Sequence, residues 1–235
     1  MAEQRMPQAS TGPLKRSADL LLNDDKEPAR KRVSPVHGDR RPAFLQDVLN
    51  ATGDVLLSPQ APVMASYVAG KVYQRLEKRG VLREESPAGL ETIAHLERAL
   101  ANHKTSVRRF APVVRQLEEL TRHLSWQGGR SGPFASINFE KSHAVIVGPG
   151  GMEERSDVRL GLILMAPYSR FPDHVQFHSR AFLLLSDGEV CIDDGNWERA
   201  AAGSVFFNEA GRKFAMRCTA EPLLAIWCHI EDASL

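Results

Sequence analysis

Residues 171–189 read FPDHVQFHSRAFLLLSDGE, and three side chains at every second position, His174, Gln176 and His178, could do metal chemistry. Alternate residues of a strand share a face, so two imidazoles and an amide oxygen would converge. With Asp173 or Glu209 as a further donor the set could hold a divalent metal, zinc, manganese or iron. The plainer reading gives His174 a hydrogen bond within its loop and leaves His178 at a barrel mouth, facing water. Two histidines without a carboxylate at regular spacing do not decide between the two.

Other reactive side chains point less clearly to a site. The stretch GPGGMEE at 148–154 is glycine-rich, but no helical pattern follows it, which favours a tight strand turn over a phosphate cradle. Cys228 and His229 adjoin like a nucleophile and its base, yet neighbours in a strand point to opposite faces. Cys191 and Cys218 read as small buried hydrophobes. Trp126, Trp197 and Trp227 read as packing residues, and His95, His103 and His123 as surface residues at no ligand spacing. Three cysteines without a CxxC pair indicate neither a disulfide framework nor a zinc knuckle, and fit a reducing compartment.

The elements that must position these residues follow from texture. At 235 residues, with 43% hydrophobic side chains and a net charge of +1, the chain can bury one core with a smaller appended portion. Apolar runs are too short to span a membrane and the N-terminus lacks the apolar stretch of an export signal, so a soluble, intracellular protein is expected. The charge balance offers nothing to nucleic acid. Residues 1–42, rich in Pro, Ser and charged side chains, read as a disordered arm. Residues 43–130 carry apolar side chains three and four apart (Val72, Leu76 and Leu82; Ile93, Leu96 and Leu100; Val113, Leu117, Leu120 and Leu124) and predict about four helices, with a start near Pro87 and a stop at Gly128 and Gly129. Residues 131–235 break into short apolar runs, AVIVGPGG, LGLILMAP, AFLLLSDGEVCI, GSVFFN, FAMRCT and LLAIWCHI, which predict strands of an antiparallel sandwich or barrel.

The arm carries two basic clusters, Lys15 with Arg16 and Arg30 with Lys31 and Arg32. Their spacing matches a bipartite nuclear import signal, whose partner would be an import receptor. Asp24, Asp25 and Glu27 between them also allow a solvated mixed-charge tail. On the first reading the protein acts in a nucleus, that of a host cell if the chain is bacterial.

The run from His143 to His174, HAVIVGPGGMEERSDVRLGLILMAPYSRFPDH, followed in order by LLLSDGE, GSVFFN, AMR and EPLLAIWC, resembles the cupin-type dimethylsulfoniopropionate (DMSP) lyases of bacteria over about residues 43–230. The resemblance implies a mainly β fold, the cupin double-stranded β-helix barrel, behind an α-helical N-terminal portion. It also implies one divalent metal inside the barrel, held by an H-x-H-x-x-x-E pattern and a distant histidine, with a tyrosinate base that removes the α proton so that dimethyl sulfide leaves and acrylate forms. Position by position, His174 is retained from the family's PDH block. Gln176 stands for a ligand histidine, Arg180 for the glutamate, Phe214 for the distant histidine, and Phe171 and Phe182 for two tyrosines.

A guanidinium cannot ligate a metal, and phenylalanine offers neither donor nor base. The expectation is a degraded site: an apolar pocket of Phe171, Phe182, Phe206 or Phe207, and Phe214, with Gln176 and with Arg180 as anion anchor, that takes no cofactor and binds a small carboxylate or a partner protein. An active lyase remodelled around His174 and His178 is the alternative, and a nuclear interaction protein is compatible with the first.

Overall fold

The computed structural model describes residues 35–36, 40–83, 94–101, 110–128 and 141–231. The basic clusters Lys15, Arg16, Arg30, Lys31 and Arg32 lie outside them, as do Pro87 and His103. Four helices precede the main sheets: α1 (Ala43–Leu56), α2 (Val63–Leu76), α3 (Ala94–Ala101) and α4 (Ala111–Leu120). In α1 the buried side chains Leu45, Val48, Leu49, Thr52, Val55 and Leu56 recur at three and four, giving the helix one apolar face. Pro112 sits in the first turn of α4, where its missing N–H would have had no partner within the helix.

The helical portion also holds strands that its periodicity did not predict. Leu82 continues no helix; it lies in β2 (Val81–Arg83), between β1 (Pro35–Val36) and β5 (Glu153–Glu154). Gly128 stops no helix either, because α4 runs into a 3-10 turn at Thr121–His123 and Gly128 belongs to β3 (Gln127–Gly128). The end of the arm is tied down. Arg41, 6% exposed, pairs with the fully buried Glu153 at 2.5 Å and donates to the Leu76 carbonyl at 2.6 Å.

The remaining strands are β4 (Lys141–Val147), β6 (Val158–Met165), β7 (Arg170–Val175), β8 (Arg180–Leu184), β9 (Gly188–Ile192), β10 (Glu198–Ala200), β11 (Val205–Asn208), β12 (Lys213–Arg217) and β13 (Leu223–Ile230). One sheet runs β1-β2-β5-β4-β6-β13-β8-β11, with β3 beside β4; the other runs β10-β9-β12-β7. Pairing is antiparallel except between β4 and β5. The sheets are not hydrogen-bonded to each other among the described residues, so the lumen lies between two sheets rather than inside a closed ring.

This layering explains why LGLILM and LLAIWC read as unbroken apolar runs. Leu160, Leu162, Leu164, Leu224, Ile226 and Cys228 point outward into a core shared with the helices. Ile163, Met165, Leu223, Ala225 and Trp227 point inward to a second core in the lumen. A strand covered on both faces needs apolar residues at every position. GPGG makes the expected turn, with Gly148 and Gly150 at φ of 136° and 75°, and the Gly150 N–H donates to Glu154 within the loop.

Candidate functional site

The inward residues of β7, β8, β11, β12 and β13 form a lumen with an aromatic end and a polar end. At the aromatic end Phe182 stacks on Phe206 at 4.7 Å and on Phe214 at 5.0 Å. Phe171 meets His174 edge-on at 4.7 Å, and His174 meets Phe214 at 6.0 Å. Phe171, Phe182 and Phe214 are each at most 1% exposed, so they form a filled core. Phe206 lines this core, whereas Phe207 faces the helices. Trp227 lies over Gly161 of β6, where a Cβ would come within 2.8 Å of the indole.

The polar end is built on alternation along β13. Trp227 and His229 face inward, and Glu231 follows in the same sense as its N–H donates to the Asp157 carbonyl at 3.1 Å. Arg180 enters from β8, opposite Asn208 of β11. Its Nε donates to Nδ1 of His229 at 2.8 Å and its guanidinium lies 5.1 Å from the Trp227 ring. His229 is stacked against His178 at 4.6 Å. Its Nε2 is 3.2 Å from Glu231, which pairs with Arg159 at 2.7 Å and lies 3.7 Å from His178.

Proton positions here follow from one group that cannot lose its proton. Arginine is always charged, so Nδ1 of His229 must accept, and the neutral ring carries its hydrogen on Nε2, facing Glu231. Burial pushes the pKa of His229 down to about 3, with Arg180 and His178 acting the same way against the opposing pull of Glu231. Burial acts to raise Glu231, but its bond with His229 and the charge of Arg159 outweigh that and hold it well below the ordinary carboxylate range. His229 is neutral and Glu231 ionised near neutral pH.

The structure brings some of the sequence-derived residues together and separates others. Gln176 is fully buried; its Oε1 accepts from Asn208 at 3.1 Å and its Nε2 lies 3.5 Å from His174. His174 sits in β7 among phenylalanines rather than in a loop. His178 is drawn to His229 and Glu231 and does not join His174 in a ligand group. Neither carboxylate suggested as a completing donor serves, because Asp173 is exposed and paired with Arg170, and Glu209 is exposed. Cys228 and His229 point to opposite faces, and burial raises the Cys228 thiol to about 12. Cys191 is only half-buried, and the guanidiniums of Arg170 and Arg217 lie 5.2 and 4.2 Å from the Trp197 ring.

Glu231 and Arg159 were not among the residues singled out from sequence, and His229 was weighed there only as a partner for Cys228. The alternation of Trp227, His229 and Glu231 along and just past β13 was the available signal; its partners lie about fifty or more residues away.

A family model for DMSP lyases matches residues 65–225, more than half of the chain. The chain belongs to the dimethylsulfoniopropionate lyase family. DMSP lyase DddQ from Ruegeria pomeroyi DSS-3 superposes with a TM-score of 0.57 at 16% identity, over 83% of this chain and 95% of that one. A chain from the crystal structures of the DMSP lyases RdDddP and RnDddQII gives a TM-score of 0.62, also at 16% identity, over 82% and 94%. At such identities the likeness establishes the shared cupin-like fold, mainly β with helices in the N-terminal part. No curated protein matches the sequence.

For the metal that membership in the DMSP lyase family implies, the donor set does not fit as arranged. Gln176 offers an amide oxygen that already accepts from Asn208, Arg180 is a cation, and Phe214 has no donor atom. His178, His229 and Glu231 can bring one ligand atom each within 4.8 Å of the others. To ligate through Nε2, however, neutral His229 must move its proton to Nδ1, where it would face the Nε–H of Arg180.

Proposed function

We propose that this chain is a non-catalytic DMSP lyase family member whose lumen is a binding scaffold for a small carboxylate. The observation that carries this reading is Arg180, which stands at the position matched to the family's glutamate ligand, is 1% exposed, and donates to His229. Its fixed charge disfavours a divalent cation and favours an anion. The absence of hydroxyls at Phe171 and Phe182 supports the same conclusion, because deprotonation at carbon needs a base placed over the substrate. Arg159, which pairs with Glu231 at 2.7 Å, brings a second guanidinium to the same end of the lumen.

The test has two arms. Purified protein incubated with zinc, manganese or iron and then freed of excess metal is expected to hold none by elemental analysis and to release no dimethyl sulfide from DMSP. Calorimetric titration with acrylate is expected to show binding that disappears in Arg180→Met. Near-stoichiometric metal together with dimethyl sulfide release would overturn the proposal in favour of a second reading, a metal-dependent lyase, for which the proximity of His178, His229 and Glu231 is the supporting observation.

A further inference from the structure

We infer that His178, His229 and Glu231 form a latent divalent-cation site, separate from the matched ligand positions Gln176, Arg180 and Phe214, and that Arg180 holds it closed. The inference rests on the non-catalytic reading above and names what makes the lumen refuse a metal. Two imidazoles and a carboxylate are a sufficient first set for zinc, with a fourth position left to water. Their ligand atoms already lie within 4.8 Å of one another, and two of the three residues are two positions apart, His229 in β13 and Glu231 just past its end. The half-buried His178 places the group toward solvent, from which an ion could enter.

Two properties of Arg180 oppose occupation. The first is charge: a guanidinium bonded to one of the three ligand residues repels a divalent ion placed beside that residue. The second is tautomeric. The 2.8 Å bond from Nε obliges Nδ1 of His229 to accept, which puts the ring's hydrogen on the nitrogen that faces Glu231, between the two residues that would have to share the metal. Arg159 adds a competing cation on Glu231, but that pair is nearer the surface and leaves the ring's tautomer untouched. Removing the Arg180 head group relieves both obstacles at once and lets His229 place its hydrogen on Nδ1.

The experiment uses the full chain with cobalt(II) as a spectroscopic probe and zinc as its competitor. Wild-type protein is expected to give no ligand-field absorption, whereas Arg180→Met, which keeps the length and loses the charge, should give the intense bands of a low-coordinate cobalt site. Its affinity should exceed that of the wild type by at least about tenfold, the high-dielectric floor for a unit charge close to a divalent ion. Adding His229→Ala or Glu231→Gln to Arg180→Met should abolish the bands. An Arg180→Met protein that unfolds cooperatively and takes up no metal overturns the latent site while leaving the non-catalytic reading intact. Metal bound by the wild type through these three residues overturns the closing role of Arg180, and only dimethyl sulfide release with it overturns the non-catalytic reading as well.

Nitrogen-15 correlation spectra of the wild type test the closing device without any variant. His229 must show a protonated Nε2 and an unprotonated Nδ1; the reverse tautomer refutes the proposal even if Arg180→Met does not fold.

Discussion

Acid should destabilise this protein through His229 in a measurable way. Its pKa is about 3 in the folded protein against 6.5 for an ordinary imidazole, so between those values the unfolded chain binds a proton that the folded one refuses. The contribution is therefore fully present above the unfolded value and is lost as pH falls toward the folded one. At about pH 4 the loss is about 3 kcal/mol, since each tenfold in proton affinity corresponds to about 1.4 kcal/mol. The groups facing the ring are Arg180, Arg159, His178, Glu231 and Trp227; Arg180 and His178 favour the neutral form, and Glu231 opposes it only in part. Urea unfolding of the wild type and of His229→Gln, at about pH 7.5 and about pH 4, isolates the effect, because glutamine can accept from Arg180 or donate to Glu231 but does not titrate in this range. The midpoint of the wild type should fall by about 1 M more than that of the variant, for a urea dependence of 2 to 3 kcal/mol per molar. Equal falls in the two proteins would refute the neutral, buried state of His229 and with it the tautomer imposed by Arg180.

Two further outcomes follow from the scaffold. Arg41→Ala leaves Glu153 buried without its cationic partner and should cost about 3 to 5 kcal/mol in urea unfolding. Deleting residues 1–42 should therefore destabilise the chain far more than deleting residues 1–39, and equal losses would show the pair to be irrelevant. Gly161→Ala sets a Cβ within 2.7 Å of the Ala144 carbonyl oxygen and 2.8 Å of Trp227, so about 2 kcal/mol of overpacking is expected, with a change in indole fluorescence as the ring is displaced. A variant with unchanged stability and emission would mean that Trp227 does not press on that strand.

The lumen was legible from sequence where a residue's meaning lay in its own type and not where it lay in a partner. Gln176, Arg180, Phe171, Phe182 and Phe214 could be assigned to the interior because each stood at a family position, and all five are buried there. Even so, type alone leaves Arg180 ambiguous: a buried guanidinium could anchor an anion, pack on a ring or poison a metal site. The 2.8 Å bond to Nδ1 of His229 gives it a definite chemical consequence, and that bond joins strands 49 residues apart in sequence. Local spacing encodes none of this. Considered beside Cys228, His229 looked like half of a dyad and was set aside on strand parity; the same parity places it in the lumen between Trp227 and Glu231, where β8 supplies the arginine and the turn after β7 supplies His178. The boundaries at Leu82 and Gly128 were lost for a related reason, since two- and three-residue strands take their identity from the neighbour they pair with rather than from any periodicity of their own. Loss of the ligands at matched positions therefore does not by itself make the lumen inert. The end of the last strand and the turn after β7 together present a donor set of their own, and whether that set binds a metal turns on which nitrogen of one ring carries the proton.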